Sequence, residues 1–224
     1  MFQNVARLFR YRLSCAGVLP ALAAIVLLGS AVTVRAQFGA PPTTQVHDAS
    51  ALHPPAGARV AIVEFADMEC PDCANAFPLM REAEAKYHIP LVYHDFPLPF
   101  HNWSFQASVN ARWFDAKSKK LGDDYRSYVF SNQRSIDTPA TLTVYTQKFA
   151  ASHGMQLPFA IDPQGKLAGL VKADYALGQR IGIEHTPTIW VVTSNSKGAP
   201  FVEVVDRSRL YQLIDQAIAN TRGK

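Results

Sequence analysis

Two cysteines, Cys70 and Cys73, stand three positions apart between a β-branched apolar run and a helix-like stretch, and this C-x-x-C is the strongest constraint in the chain. The third cysteine, Cys15, lies in the leading segment, so the rest of the chain carries a single pair. A bridge across two residues closes almost no loop, so the pair is no structural framework; it has the spacing of redox or metal chemistry. Residues 60–65 have the length and composition of a buried strand, residues 74–86 read as helix, and residues 89–96 form a second strand-like run. Pro71 suits the first turn of the helix, where its missing N–H costs nothing. A zinc half-site is the other reading of the pair. It needs two further ligands, and none of the seven histidines has cysteine-like pairing spacing.

The chain has 224 residues with 48% hydrophobic and 18% charged side chains, which allows a packed core and excludes wholesale disorder. Its net charge of +4 comes from the leader: Arg7, Arg10, Arg12 and Arg35 precede any acidic residue, leaving 18 basic against 18 acidic side chains. With no basic stripe and no interleaved aromatics, nucleic-acid binding is not expected. A basic start, an apolar run over about residues 15–34 and small residues up to Ala36 are the order of a secretory signal cut after Ala36. The run is also just long enough to span a bilayer, so an uncleaved N-terminal anchor stays open. Either way the positive charges lie on the cytoplasmic side and the remainder outside. Residues 37–58, with Pro41, Pro42, Pro54 and Pro55, read as a flexible linker, and the folded domain is expected from Arg59.

Beyond His101 the period changes. Residues 102–119, 123–132, 140–152 and 166–180 carry apolar side chains three and four apart. Strand chemistry returns at residues 188–193 and 201–205 across a turn, and residues 209–220 close as an amphipathic helix. The order is β-α-β, a helical block over about 101–181, then β-β-α, an α/β class.

Residues 63–65 (Val-Glu-Phe), Cys70-Pro71-Asp72-Cys73, Phe96-Pro97-Leu98-Pro99-Phe100-His101 and the stretch from Gly182 through Thr186-Pro187-Thr188 resemble the DsbA-like family of thioredoxin-fold disulfide oxidoreductases. The resemblance runs from about Arg59 to the C-terminus. It implies a thioredoxin fold with an inserted helical domain, no cofactor, and a disulfide-exchange activity on reduced or unfolded proteins. It also implies a cis bond before Pro187, facing the C-x-x-C, with Thr186 offering its backbone to an extended substrate. Pro71 and Asp72, between the cysteines, complete the expected substrate-facing set. As an oxidase, the protein needs a quinone-linked membrane protein to reoxidise it; as a reductase or isomerase, it needs a membrane electron donor. A monomer is the default.

The residues themselves suggest the division of labour. Cys70, at a helix N-terminus, should be a thiolate and the attacking nucleophile. Cys73, one turn on and less exposed, should be the resolving thiol. Glu64, in an otherwise apolar strand, is expected to be buried with a raised pKa and to exchange a proton with Cys73. His185 either lines the site or is a solvated turn residue. His101, Trp103 and Phe105 read as core and helix-start residues of the inserted block. Asp72, Asp67 and Glu69 put negative charge near Cys70, which should raise its pKa and give a milder potential, between about −120 and −230 mV. Because disulfides persist outside the cytoplasm, donation of the disulfide is the expected direction; reductase or isomerase, and less so a metal-binding module, stay as alternatives.

Overall fold

Strand β1 (Val60–Ala66) is buried along its whole length, as a β-branched run with helices on both faces must be. The computed structural model describes residues 44–194 and 200–221; the expected signal or anchor over residues 1–36 lies outside them. β1 pairs in parallel with β2 (Leu91–Asp95) and antiparallel with β3 (Thr188–Thr193), which pairs antiparallel with β4 (Phe201–Glu203), giving the order β2-β1-β3-β4. Helix α1 (Pro71–Tyr87) crosses from β1 to β2. Four helices then follow before β3: α2 (Ser104–Asp115), α3 (Lys119–Asn132), α4 (Pro139–Ser152) and α5 (Lys166–Ile181). Helix α6 (Leu210–Thr221) ends the described chain. This is the expected thioredoxin fold with a helical insertion. Helix α3 begins four residues earlier than its apolar period suggests, because the Ser118 side chain accepts from Leu121 N–H and caps it.

The alternation of β1 sorts the core. Val60 and Ile62 pack with Met80 and Ala83 of α1 and with Leu210 and Ile214 of α6. Ala61, Val63 and Phe65 face the other way, onto Phe96, Trp190 and Ile181 at the end of α5. The insertion has its own aromatic core of Phe114, Tyr125, Phe130 and Phe149, continuous with Cys73 and Phe77 of α1. That continuity ties the helical block to the C-x-x-C rather than leaving it a separate body.

Residues 37–58 correct the linker expectation where they are described. The segment from Thr44 has no regular structure, as its prolines require, but it is docked. Thr44 donates its N–H and hydroxyl to the Glu203 carboxylate, both at 3.0 Å, and His47 N–H donates to Ile181 O at 2.8 Å. Gly182, at φ 100°, lets the strap through: a Cβ there would stand 2.5 Å from Gln45 O. Leu52 is buried in the core beside Phe65 and Trp190. The sequence hid this because one Leu among prolines has no period. Leu52→Ala should therefore cost about 2–4 kcal/mol in urea denaturation of the protein; a free linker would show no change.

Candidate active site

β1 ends one turn short of the motif, and residues 67–69 carry the chain to Cys70, which is the N-cap of α1 with Pro71 directly after it. An N-cap residue sets its side chain against the free N–H groups of the first turn. The Cys70 thiolate is accordingly favoured and its pKa falls to about 6, first through the Cys73 thiol, then through the Thr186 side chain and the backbone N–H groups of Cys73 and Asp72, against a desolvation penalty. The Cys70 thiol, when protonated, donates to Thr186 O at 3.3 Å. Thr186–Pro187 is a cis peptide bond, and β3 starts at the next residue.

Cys73 differs in burial. It is fully buried on α1, accepts the Asp67 N–H at 3.4 Å, and burial above all pushes its thiol well above the ordinary range. The two sulfurs of one helical turn are thus strongly unequal acids. Glu64 points to the same face of the sheet as Ile62, as expected, is fully buried, and neither carboxylate oxygen has a hydrogen-bond partner. Burial lifts its pKa to about 8, partly offset by the charges of Arg207 and Arg126. The charge of an ionised Glu64 raises the Cys73 thiol further, so the two groups lie within electrostatic reach. Across the ladder from Glu64, Tyr93 buries a hydroxyl that also has no partner.

The acidic residues around the motif overturn one expectation. None of their carboxylates is among the causes that set the Cys70 pKa, which falls, and each is bound by donors. Asp67, fully buried, accepts from Leu98 N–H (2.6 Å), Glu69 N–H (2.7 Å), His101 Nδ1 (2.7 Å) and the Ser104 hydroxyl. Glu69 accepts from the Trp103 and Ser104 N–H groups at 2.7 and 3.0 Å, at the N-terminus of α2. Asp72 is bound by both guanidinium nitrogens of Arg207, at 2.6 and 2.8 Å, which holds its carboxyl below the usual range. Trp103 is the buried N-cap of α2 and His101 lies two residues before it, whereas Phe105, in the first turn, is exposed rather than core. His185 lines a cavity of about 400 Å³ together with Pro187, Asp72 and Arg207.

Two site residues went unseen in the sequence. Gln133, in the 3₁₀ turn after α3, donates to both Met68 O (3.0 Å) and Cys70 O (2.9 Å), pinning the loop ahead of the nucleophile. Arg207 reaches Asp72 from 135 positions away. Neither sits in a motif, and only the packing of the insertion and of the β4–α6 turn brings them in.

The profile of the family described as Thioredoxin matches residues 55–207. No curated protein sequence matches the chain. Solved structures do. α-DsbA1 of Wolbachia pipientis superposes with a TM-score of 0.59 at 16% identity, covering 80% of this chain and 95% of that one. A periplasmic thioredoxin-like protein from Salmonella enterica serovar Typhimurium gives 0.58 at 17% identity over 74% of this chain and 88% of its own. Pseudomonas aeruginosa DsbA2 gives 0.52 at 20% identity over 80% and 96%. At such identities the likeness is one of fold.

Burial makes Glu64 hold its proton to about pH 8, whereas in the unfolded chain it is lost near 4.5. The resulting stabilisation is complete below pH 4.5 and is lost as pH rises through 8. Glu64→Gln should thus match the reduced wild type in urea denaturation at pH 4.5 and exceed it by about 2–3 kcal/mol at pH 7. Parallel pH dependence in both proteins would contradict a buried, proton-holding Glu64.

Proposed function

Because the chain belongs to the thioredoxin family, we propose that it is an exported thiol–disulfide oxidoreductase that donates the Cys70–Cys73 disulfide to reduced, unfolded or flexible proteins outside the cytoplasm. The observation that carries this reading is the inequality of the two sulfurs: Cys70 is lowered to about 6 and Cys73 raised. A substrate thiolate attacks Cys70 Sγ, breaking the Cys70–Cys73 bond and forming a mixed disulfide. Cys73 leaves as a thiolate of high proton affinity and takes the proton that buried Glu64 holds at neutral pH. A second substrate thiolate attacks the substrate sulfur of the mixed disulfide and expels Cys70 as a stable thiolate. The substrate loses two electrons to the cysteine pair. In the reverse direction Glu64 accepts the Cys73 proton.

Substrate positioning falls to the loop before β3. Once Cys70 is a thiolate or a disulfide, it no longer donates to Thr186 O, which is then free to accept an N–H from an extended segment laid beside cis-Pro187. Backbone pairing of this kind tolerates many sequences. Asp72 borders the cavity that Pro187 lines, and Pro71 stands beside it at the first position of α1. The expected leader over residues 1–36, together with the likeness to a periplasmic thioredoxin-like protein of Salmonella, supports an extracytoplasmic site of action, reached by a cleaved signal or held by an uncleaved anchor. The reduced product requires a membrane reoxidant, which the family supplies as quinone-linked proteins.

A stable thiolate stabilises the reduced pair and so makes the disulfide more oxidising. A Cys70 pKa of about 6 lies between the roughly 7 of thioredoxin and 3.5 of DsbA, whose potentials are about −270 and −120 mV. Equilibration with glutathione should therefore place the pair between about −230 and −150 mV; a lower value overturns the donor reading in favour of an exported reductase. Absorbance at 240 nm should show one thiolate titrating near pH 6. Cys73→Ala, whose Cys70 thiolate attacks a client disulfide and expels one client thiolate, should accumulate a mixed disulfide with a disulfide-containing client protein on non-reducing gels, and Cys70→Ala should form none.

A further inference from the structure

An Asp between the cysteines places a charge that repels the thiolate formed on reduction. We propose that Arg207 is the counter-ion that cancels this charge, and that the Asp72–Arg207 pair keeps the acidic dipeptide from lowering the reduction potential. The proposal rests on the oxidoreductase reading of the same site.

Three observations carry it. First, the pairing is bidentate, at 2.6 and 2.8 Å, and a planar guanidinium fork on a carboxylate fixes orientation as well as charge. Second, Arg207 is delivered by a built turn: Asp206 accepts from Ser208 N–H (3.0 Å) and from its hydroxyl (2.7 Å), capping the 3₁₀ turn Arg207–Arg209 between β4 and α6. Third, Arg207 and Asp72 border the same cavity of about 400 Å³ as His185 and cis-Pro187, so the pair lies where a substrate segment would exclude water from it. The field of Arg207 also reaches Cys73 and Glu64.

The remaining charged and titratable groups around Cys70 have other partners or other places. On α1 these are Asp72 and Cys73; in the loop before it, Asp67 and Glu69, bound by His101, Ser104 and the start of α2. β1 contributes Glu64, the loop before Pro187 contributes His185, β4 contributes Glu203, bound by Thr44, the turn after α3 contributes Arg134, and the β4–α6 turn contributes Asp206 beside Arg207. An ordinary surface ion pair, with side chains 54% and 33% exposed here, would contribute about 0–1 kcal/mol to stability and leave the redox equilibrium alone. The two roles are therefore separable.

Reduction breaks the Cys70–Cys73 bond with two electrons from two substrate thiols. Of the two protons released, one stays on Cys73 and the other passes to solvent, while Cys70 remains a thiolate. Charge at Asp72 acts on this reduced state alone. Arg207→Gln should thus raise the Cys70 titration midpoint by about half a pH unit, and lower the exchange constant with glutathione about threefold, or about 14 mV at 29.6 mV per decade. Arg207→Lys should recover part of the shift, and Asp72→Asn with Arg207→Gln should return close to wild type. The shift should shrink in 1 M salt.

An unchanged midpoint and exchange constant in Arg207→Gln, with wild-type exchange intact, would overturn the proposal and leave the oxidoreductase reading standing. So would a double variant as far shifted as Arg207→Gln alone. A pair that does not exchange with glutathione at all would overturn both.

Discussion

Cys70 sits where three independent parts of the chain converge: the free N–H groups at the start of α1 and the Thr186 residue before β3 at its sulfur, and Gln133 from the insertion at its carbonyl oxygen. Each is set by a different constraint. The helix start follows from Pro71 and the buried strand behind it. The approach of Thr186 follows from the antiparallel pairing of β1 with β3, whose register puts Phe65 opposite Thr188. The approach of Gln133 follows from the shared aromatic core that binds α3 to α1. The first two set the stability of a single thiolate, the quantity the proposed chemistry depends on, and the third holds the backbone that carries it.

Burial separates the two cysteines. Cys70, at a helix terminus, keeps 8% of its surface exposed, whereas Cys73, one turn deeper in the same core, keeps none. The same burial acts on Glu64, and there it works without any hydrogen bond to relieve it. A carboxylate in that position is costly to ionise, and in the proposed exchange this is what lets it hold a proton for Cys73. The negative charge elsewhere near the motif has been put to structural use. Asp67 and Glu69 anchor the start of α2, so the insertion is fastened to the active-site loop by the residues that would otherwise oppose the thiolate.

The strap from Thr44 to Leu52 adds a further layer. It crosses the end of α5 at Gly182 and reaches Glu203 on the edge strand β4, covering the face opposite α1 and α6. Edge strands tend to recruit other chains, and β4, three residues long and partly met by this strap, offers little to pair with.

Sequence alone determined the order of elements, because hydrophobic period and turn chemistry are local and the β-α-β and β-β-α halves each carry them. It also determined the reactive pair, the helix-capping position of Cys70, and an inward-facing Glu64, since strand alternation needs no tertiary information. The tertiary structure decided the sign of the electrostatics. From sequence, Asp67, Glu69 and Asp72 are three negative charges near a thiol; in the fold each has donors that come from residues 98–104 or from Arg207, and the Cys70 pKa falls rather than rises. The docking of residues 44–58 belongs to the same class. Whether a carboxylate is bare or bound, or a proline-rich segment loose or packed, depends on neighbours distant in the chain, and no local pattern carries that information.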